Sequence, residues 1–383
     1  MRFKANIHFA ATRRTRGHGG GLEPSSTHSA VEHALAVEYL DPICRKSAQA
    51  LGSRSMTAFI LLNPRSGGGR VREYHLEERA RAAGADTHVL HPDDNPVALA
   101  TKAADAGATV LGIAGGDGSL GPIARVAIER DLPFLCLPAG TLNHFARDAG
   151  LDIENPAYAL RALNAGREKR IDVGELNDTH TFLNVVSLGL YATMVADPEY
   201  RHAKARVARD RLETALAHGQ DPPFQVTPPD GPVLRDVLVM LVSNNPYEFP
   251  RLRWDAERFR LDCGRLGLST IAPPPGEATR RHGALAAAVL RGLDRSGFWH
   301  SWTADAWVQD FDGTDQVPVA LDGESLLVQP PVRFQIRPRA LRLLVPAHVP
   351  DERSRDPRLA SRHSATFGWH ALRRWIRVTR SGG

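Results

Sequence analysis

The chain has 383 residues, 42% hydrophobic and 24% charged, with a formal net charge of +5; this ordinary globular balance excludes a fibre or wholesale disorder. The positive charge lies at the ends. Residues 1–55 hold eight Lys/Arg against four Asp/Glu and residues 351–383 hold eight Arg against three, so the body between them carries −4, which argues against a nucleic-acid groove while leaving basic ends that can meet an anionic membrane surface.

Residues 1–55 mix Gly, Ser, Thr, His and Arg around a weak helical patch at 30–39. They offer too little apolar area to offset the cost of ordering, which predicts a disordered, dispensable extension, with Met56 standing as an alternative start. From 56 to 170 the pattern predicts strands near 57–62, 86–90, 109–114 and 134–137 and helices near 70–83, 96–106, 119–130, 142–149 and 155–165. Such alternation means a parallel sheet covered by helices, a Rossmann-like nucleotide-binding domain. At Ile171 the texture changes to short β-like runs at 181–188, 233–243, 258–272, 302–310, 318–321 and 332–338, with helices near 198–217 and 279–292. This predicts an antiparallel sandwich-like domain over 171–338. The basic tail 347–383 contains Trp369, Leu372 and Ile376 on one helical face, suited either to a membrane surface or to docking on the protein body. No apolar run approaches the ~18 residues needed to span a bilayer, and no secretory pattern opens the chain, so a cytoplasmic protein is expected, peripheral at the inner membrane face if the tail engages lipid. Cys44, Cys136 and Cys263 lack metal-ligand spacing, and Cys136 reads as a buried inert thiol.

The chemistry concentrates in three glycine turns, each following an apolar strand and opening a helix. They are Asn63-Pro64-Arg65-Ser66-Gly67, Gly115-Gly116-Asp117-Gly118-Ser119 and Pro138-Ala139-Gly140-Thr141-Leu142-Asn143. Backbone N–H groups at a helix N-terminus attract anions, and three such turns on one sheet edge would form a phosphate cradle. Asn63, Pro64, Ser66, Gly67, Gly115, Gly116, Gly118, Ser119, Thr141 and Asn143 are its candidate residues. Asp117 inside the second turn would repel phosphate unless a cation lay between them, so Mg²⁺-bridged phosphates are expected there. In Leu321-Asp322-Gly323-Glu324 two acids stand two residues apart; an extended segment would point both to one side, and Asp-Gly is equally a hairpin turn signal.

Together these four motifs, in this order, resemble the bacterial members of the diacylglycerol kinase catalytic-domain family, which also includes sphingosine and ceramide kinases. The resemblance covers roughly residues 56–346. Ser119 stands where the family more often has Thr, His144 where it often has Asp, and Leu90-His91 where it has a threonine. The resemblance implies ATP and Mg²⁺ as cofactors, Glu324 as general base supported by Asp322, and a late strand at 339–346 returning to the first domain. It also implies that Asn184, Ser187 and Gly189 lie near the cleft. Asp262 falls in a stretch resembling the family's metal-binding loop, with Cys263 in place of a frequent acidic residue; a surface turn is the competing reading. The implied activity is phosphoryl transfer to a lipid hydroxyl, with diacylglycerol converted to phosphatidic acid. The competing readings are a kinase of a sphingoid or ceramide-like lipid, a kinase of a soluble small molecule, and a non-catalytic nucleotide-binding regulator. NAD kinases and phosphofructokinases share the Gly-Gly-Asp-Gly turn but not the whole set of motifs.

Overall fold

Apolar segments ending in glycine turns build the parallel sheet that the alternation predicts. The computed structural model describes residues 57–200, 203, 206–207, 210–211, 214, 225–247, 258, 260–272, 299–311 and 313–348. The extension over 1–55, most of the helix expected near 198–217, the helix expected near 279–292 and the tail beyond 348 lie outside the described residues. Strands β1 (Ala58–Leu62), β2 (Ala85–Val89), β3 (Val110–Gly115) and β4 (Phe134–Pro138) run parallel in the order β2-β1-β3-β4. β3 and β4 are buried at every residue, as strands covered on both faces must be. Helices α1 (Arg70–Glu73) and α2 (Leu76–Ala82) replace the single helix expected at 70–83, because His75 takes a left-handed φ of 48° between them. α3 (Pro96–Asp105) starts with Asn95 accepting from the Ala98 N–H at 3.1 Å and Pro96 in its first turn. α4 (Asp117–Glu129) follows β3 and α5 (His144–Ala149) follows β4. One apolar cluster joins Leu111, Ile113, Ile123, Phe134 and Phe145; another joins Ile60, Leu62, Leu76 and Leu135.

The boundary expected at residue 170 falls inside a strand and is corrected by the pairing. β5 (Gly166–Leu176) belongs to the first sheet, antiparallel to β14 (Val332–Pro346), which pairs in parallel with β4 through Leu343 and Phe134. The runs expected separately at 332–338 and 339–345 are thus one strand. Its register shifts between Arg337 and Leu341, where Arg339 has φ 54°. Such an irregularity removes a backbone donor from the ladder; here the Arg339 N–H donates to the Asp172 carboxylate at 2.8 Å. β6 (His180–Phe182) pairs with β5, and β11 (Ala306–Gln309) pairs with β14.

The second sheet contains β7 (Val185–Gly189), β8 (Val239–Asn244), β9 (Leu266–Ile271), β10 (Trp299–Ala304), β12 (Val317–Leu321) and β13 (Glu324–Val328). All its pairings are antiparallel in the order β10-β9-β8-β7-β12-β13, an open sheet rather than a closed barrel. Two expected single runs divide between the sheets: 181–188 into β6 and β7, and 302–310 largely into β10 and β11. Val186, Leu188, Val242, Leu268 and Val319 of the second sheet pack in one core with Leu176, Phe182, Trp307, Phe334 and Ile336 of the first. Among the described residues no helix is long and apolar enough to cross a membrane.

Candidate active site

The chain passes from β1 to β2 on one side of the sheet and then places β3 on the other side of β1. At such a switch point the loops leaving the carboxyl ends of the strands diverge and leave a crevice for a ligand. Here the loops after β1, β3 and β4 touch backbone to backbone. A methyl group on Gly67 (φ +56°) would stand 2.2 Å from the Ala139 carbonyl oxygen, and one on Gly140 would stand 2.3 Å from the Gly116 Cα. Only glycine allows these approaches. The Asn63 side chain donates to Ser119 Oγ at 3.2 Å, tying the first loop to the second. Pro64 follows Asn63 in that turn, Ser66 opens a short 3-10 turn over Ser66–Gly68, Gly115 ends β3, and Thr141 is exposed in the third loop. Asn143 is buried with φ 52°, and its amide exchanges two hydrogen bonds of 2.8 Å with the backbone of Gly140. It shapes the third loop.

The Asp117 carboxylate is engaged by three protein donors. Its Oδ2 accepts from the His144 N–H at 3.0 Å; its Oδ1 accepts from the Phe145 N–H at 3.0 Å and from Asn184 Nδ2 at 3.0 Å. The first N–H groups of a helix have no intrahelical partner, and a carboxylate there also complements the dipole. Asn143, the residue before α5, gives the helix no side-chain cap; Asp117, the first residue of α4, caps it instead. No trio of His, Cys, Asp or Glu gathers as a metal cage among the described residues. The loops fit phosphates. Burial lowers the pKa of the His144 imidazole, partly opposed by the charges of Asp117 and Asp148.

Asp322 and Glu324 divide the two readings of their motif. Asp322 (φ 47°) and Gly323 (φ 90°) form the two-residue turn joining β12 to β13, with Leu321 and Glu324 paired across it. Two left-handed residues match the twist of a tight hairpin. The buried Asp322 carboxylate accepts from the N–H groups of Leu183, Asn184 and Val185 at 2.8, 2.9 and 2.9 Å. Burial raises its pKa to about 7, against the pull of these donors. The turn carries Glu324 to the cradle: a methyl group on Gly118 would stand 2.4 Å from Glu324 Cγ and 2.9 Å from its Oε1.

Asp262, for which a metal ligand and a surface turn were the competing readings, pairs with Arg260 at 2.9 Å in a partly exposed turn. The neighbouring buried Asp172 instead accepts from Asn245, Gly264 and Arg339. Ser187 lies in β7 and its hydroxyl reaches the Ala320 carbonyl at 3.5 Å, while Gly189 ends that strand. Arg258 was not anticipated. It is 2% exposed, and its guanidinium donates to Asp148, to the carbonyls of Leu183 and Asn244, and to Asn184 Oδ1. No sequence signal separates such an arginine from a solvated one; its partners come from three distant segments.

Residues 57–176 match the diacylglycerol kinase catalytic domain. A protein of Pseudomonas fluorescens (strain Pf-5) named "Probable lipid kinase YegS-like" is 30% identical over 279 residues, covering 71% of this chain and 90% of that one. A namesake in Pseudomonas aeruginosa (strain PAO1) is 29% identical over 314 residues, covering 76% and 94%. The fold is shared with a crystal structure from Bacillus anthracis str. Sterne described as a "putative diacylglycerol kinase", with a TM-score of 0.56, 19% identity, and coverage of 79% of this chain and 99% of the other. With three glycine loops meeting at one sheet edge and a relative matched at this level over nine-tenths of its length, the chain belongs to the diacylglycerol kinase catalytic-domain family.

Proposed function

We propose that the protein is an ATP-dependent lipid kinase that transfers the γ-phosphoryl group to a lipid hydroxyl, with diacylglycerol as acceptor and phosphatidic acid as product. The observation that carries this reading is the Glu324 side chain against Gly118, at the N-terminal turn of the helix that the glycine loops surround. A carboxylate at a phosphate site repels the nucleotide unless it faces a third participant. An acceptor hydroxyl that must lose its proton is that participant.

In this mechanism the loop N–H groups and the N-terminus of α4 hold and neutralise the phosphates. Glu324 accepts the hydroxyl proton as the acceptor oxygen bonds to the γ-phosphorus and the bond to the β-phosphate bridging oxygen breaks, releasing ADP. A divalent cation bound with ATP would offset phosphate charge; no protein ligand is assigned to it. The first sheet serves the nucleotide, and the second sheet, whose β12–β13 hairpin bears Glu324, serves the acceptor. The basic ends would favour work at an anionic membrane surface.

Transfer of radiolabelled phosphate from ATP to a panel of diacylglycerol, ceramide, sphingoid bases and soluble polyols tests the reading, with products separated by chromatography. Glu324→Gln should leave the Kd for ATP within about threefold of wild type and lower lipid phosphorylation by roughly 10²–10⁴. Labelling of a soluble polyol alone, or of nothing by the folded wild-type protein, would refute a lipid kinase; labelling of ceramide or a sphingoid base alone would move the acceptor from diacylglycerol to that lipid.

A further inference from the structure

We propose that Arg258 is a positioning residue that holds the cradle and the Glu324 hairpin in one geometry, acting through Asn184. The inference rests on the kinase reading for its consequence in turnover, but its structural basis is independent of that reading.

Burying a guanidinium is costly unless charge and hydrogen bonds compensate it. Arg258 meets that cost with partners from three parts of the fold. Its Nε and NH2 reach Asp148 Oδ2 of α5 at 2.9 and 2.8 Å; its NH1 reaches the Leu183 carbonyl at 2.6 Å, before β7, and the Asn244 carbonyl at 2.7 Å, at the end of β8. Its NH2 also reaches Asn184 Oδ1 at 3.1 Å, and the guanidinium lies 5.4 Å from the Tyr247 ring centroid. The first sheet's α5 and the second sheet's β8 are thereby clamped to one planar fork.

Asn184 turns this clamp into a link with both halves of the site. Its side-chain oxygen receives Arg258 while its amide nitrogen donates to Asp117 Oδ1 at 3.0 Å. Its own backbone N–H, with those of Leu183 and Val185, is held by the Asp322 carboxylate at the base of the Glu324 turn. A displacement of residues 183–185 would therefore move the cap of α5 on one side and the Glu324 hairpin on the other. The Asp322 carboxylate thus ties this segment to the turn from which Glu324 projects towards Gly118. Arginine is required because a lysine ammonium cannot span these acceptors in one plane.

Two variants test the assignment in the full-length protein. Asn184→Ala cuts the link while leaving Arg258 its contacts with Asp148, Leu183 and Asn244; Arg258→Lys keeps the charge and loses the fork. Amide hydrogen exchange should rise by about tenfold or more at both His144–Phe145 and Leu183–Val185 in each variant. Turnover per folded molecule should fall by about tenfold or more, with KM for ATP within about threefold of wild type. A contribution confined to stability would lower the folded fraction and leave turnover per folded molecule unchanged. That result, or faster exchange confined to the neighbourhood of the substituted residue, would overturn the proposal. If the wild-type protein phosphorylates no lipid, the kinase reading fails and the exchange measurement alone decides whether Arg258 couples the two segments.

Discussion

Replacing Gly118 with alanine should change stability little and make the protein much less active. Gly118 lies in the first turn of α4 without a positive φ, so alanine is compatible with its backbone and removes the glycine penalty of up to about 1 kcal/mol in a helix. The new methyl would stand 2.4 Å from Glu324 Cγ, whereas ordinary contacts lie at 3.4–4 Å. Glu324 must retreat by about 1 Å, and because the contact falls on Cγ rather than on the far end of the side chain, the shift offsets the helix gain. A reacting group misplaced by about that distance loses roughly 10² in rate. Thermal melting should therefore change by no more than about 2–4 °C, while turnover of radiolabelled ATP into lipid falls by roughly two orders of magnitude. Measurement of the Kd for ATP guards against a blocked cradle and should change little. Wild-type turnover in folded Gly118→Ala would remove Glu324 from the reacting centre.

Gly121→Ala, one turn along the same helix, should instead lower stability. Its methyl would meet the Thr181 carbonyl oxygen at 2.4 Å, a backbone atom that cannot step aside, so overpacking should outweigh the helix gain by about 1–2 kcal/mol in denaturant unfolding; an unchanged midpoint would contradict the close packing of α4 on β6. His144 makes stability pH-dependent, because burial holds its folded pKa below the free value of 6.5. The unfolded chain binds the proton first, so this contribution is complete above pH ~6.5 and is lost as pH falls towards the folded value; His144→Asn should flatten the fall in melting temperature across this window, and an equally steep fall would exclude His144 as its source. Asp262→Asn should change stability by no more than about 1 kcal/mol, as expected for a partly exposed ion pair, and leave the Mg²⁺ dependence of turnover unaltered. A raised Mg²⁺ requirement would restore Asp262 as a metal ligand.

Local chemistry made much of this protein legible before any contact was known. Strand-to-helix glycine turns require particular backbone angles, so three of the four parallel strands and the three convergent loops could be read from apolar runs ending in glycine turns. Asp322-Gly323 announced a tight turn, and Glu324 two residues on inherited its place from that turn. What the sequence left open depends on partners distant along the chain. Whether a short β-like run joins one sheet or the other is decided by long-range pairing, and this is why residues 181–188 divide between two sheets and why β5 crosses the expected boundary at 170. The fate of each charge is decided in the same way. Nothing near Asp117 in the sequence announces the N–H groups of His144 and Phe145, 27 and 28 residues later, that donate to its oxygens. Arg258 looks like any surface arginine until residues 110 positions earlier and 14 positions earlier close around it. The sequence by itself determined which residues could bind phosphate and where the chain must turn, because those properties reside in neighbouring residues. Only the tertiary structure decided which carboxylate faces the cradle and which ones are consumed in holding it together, because a buried charge takes its role from the donors that folding brings within hydrogen-bond reach.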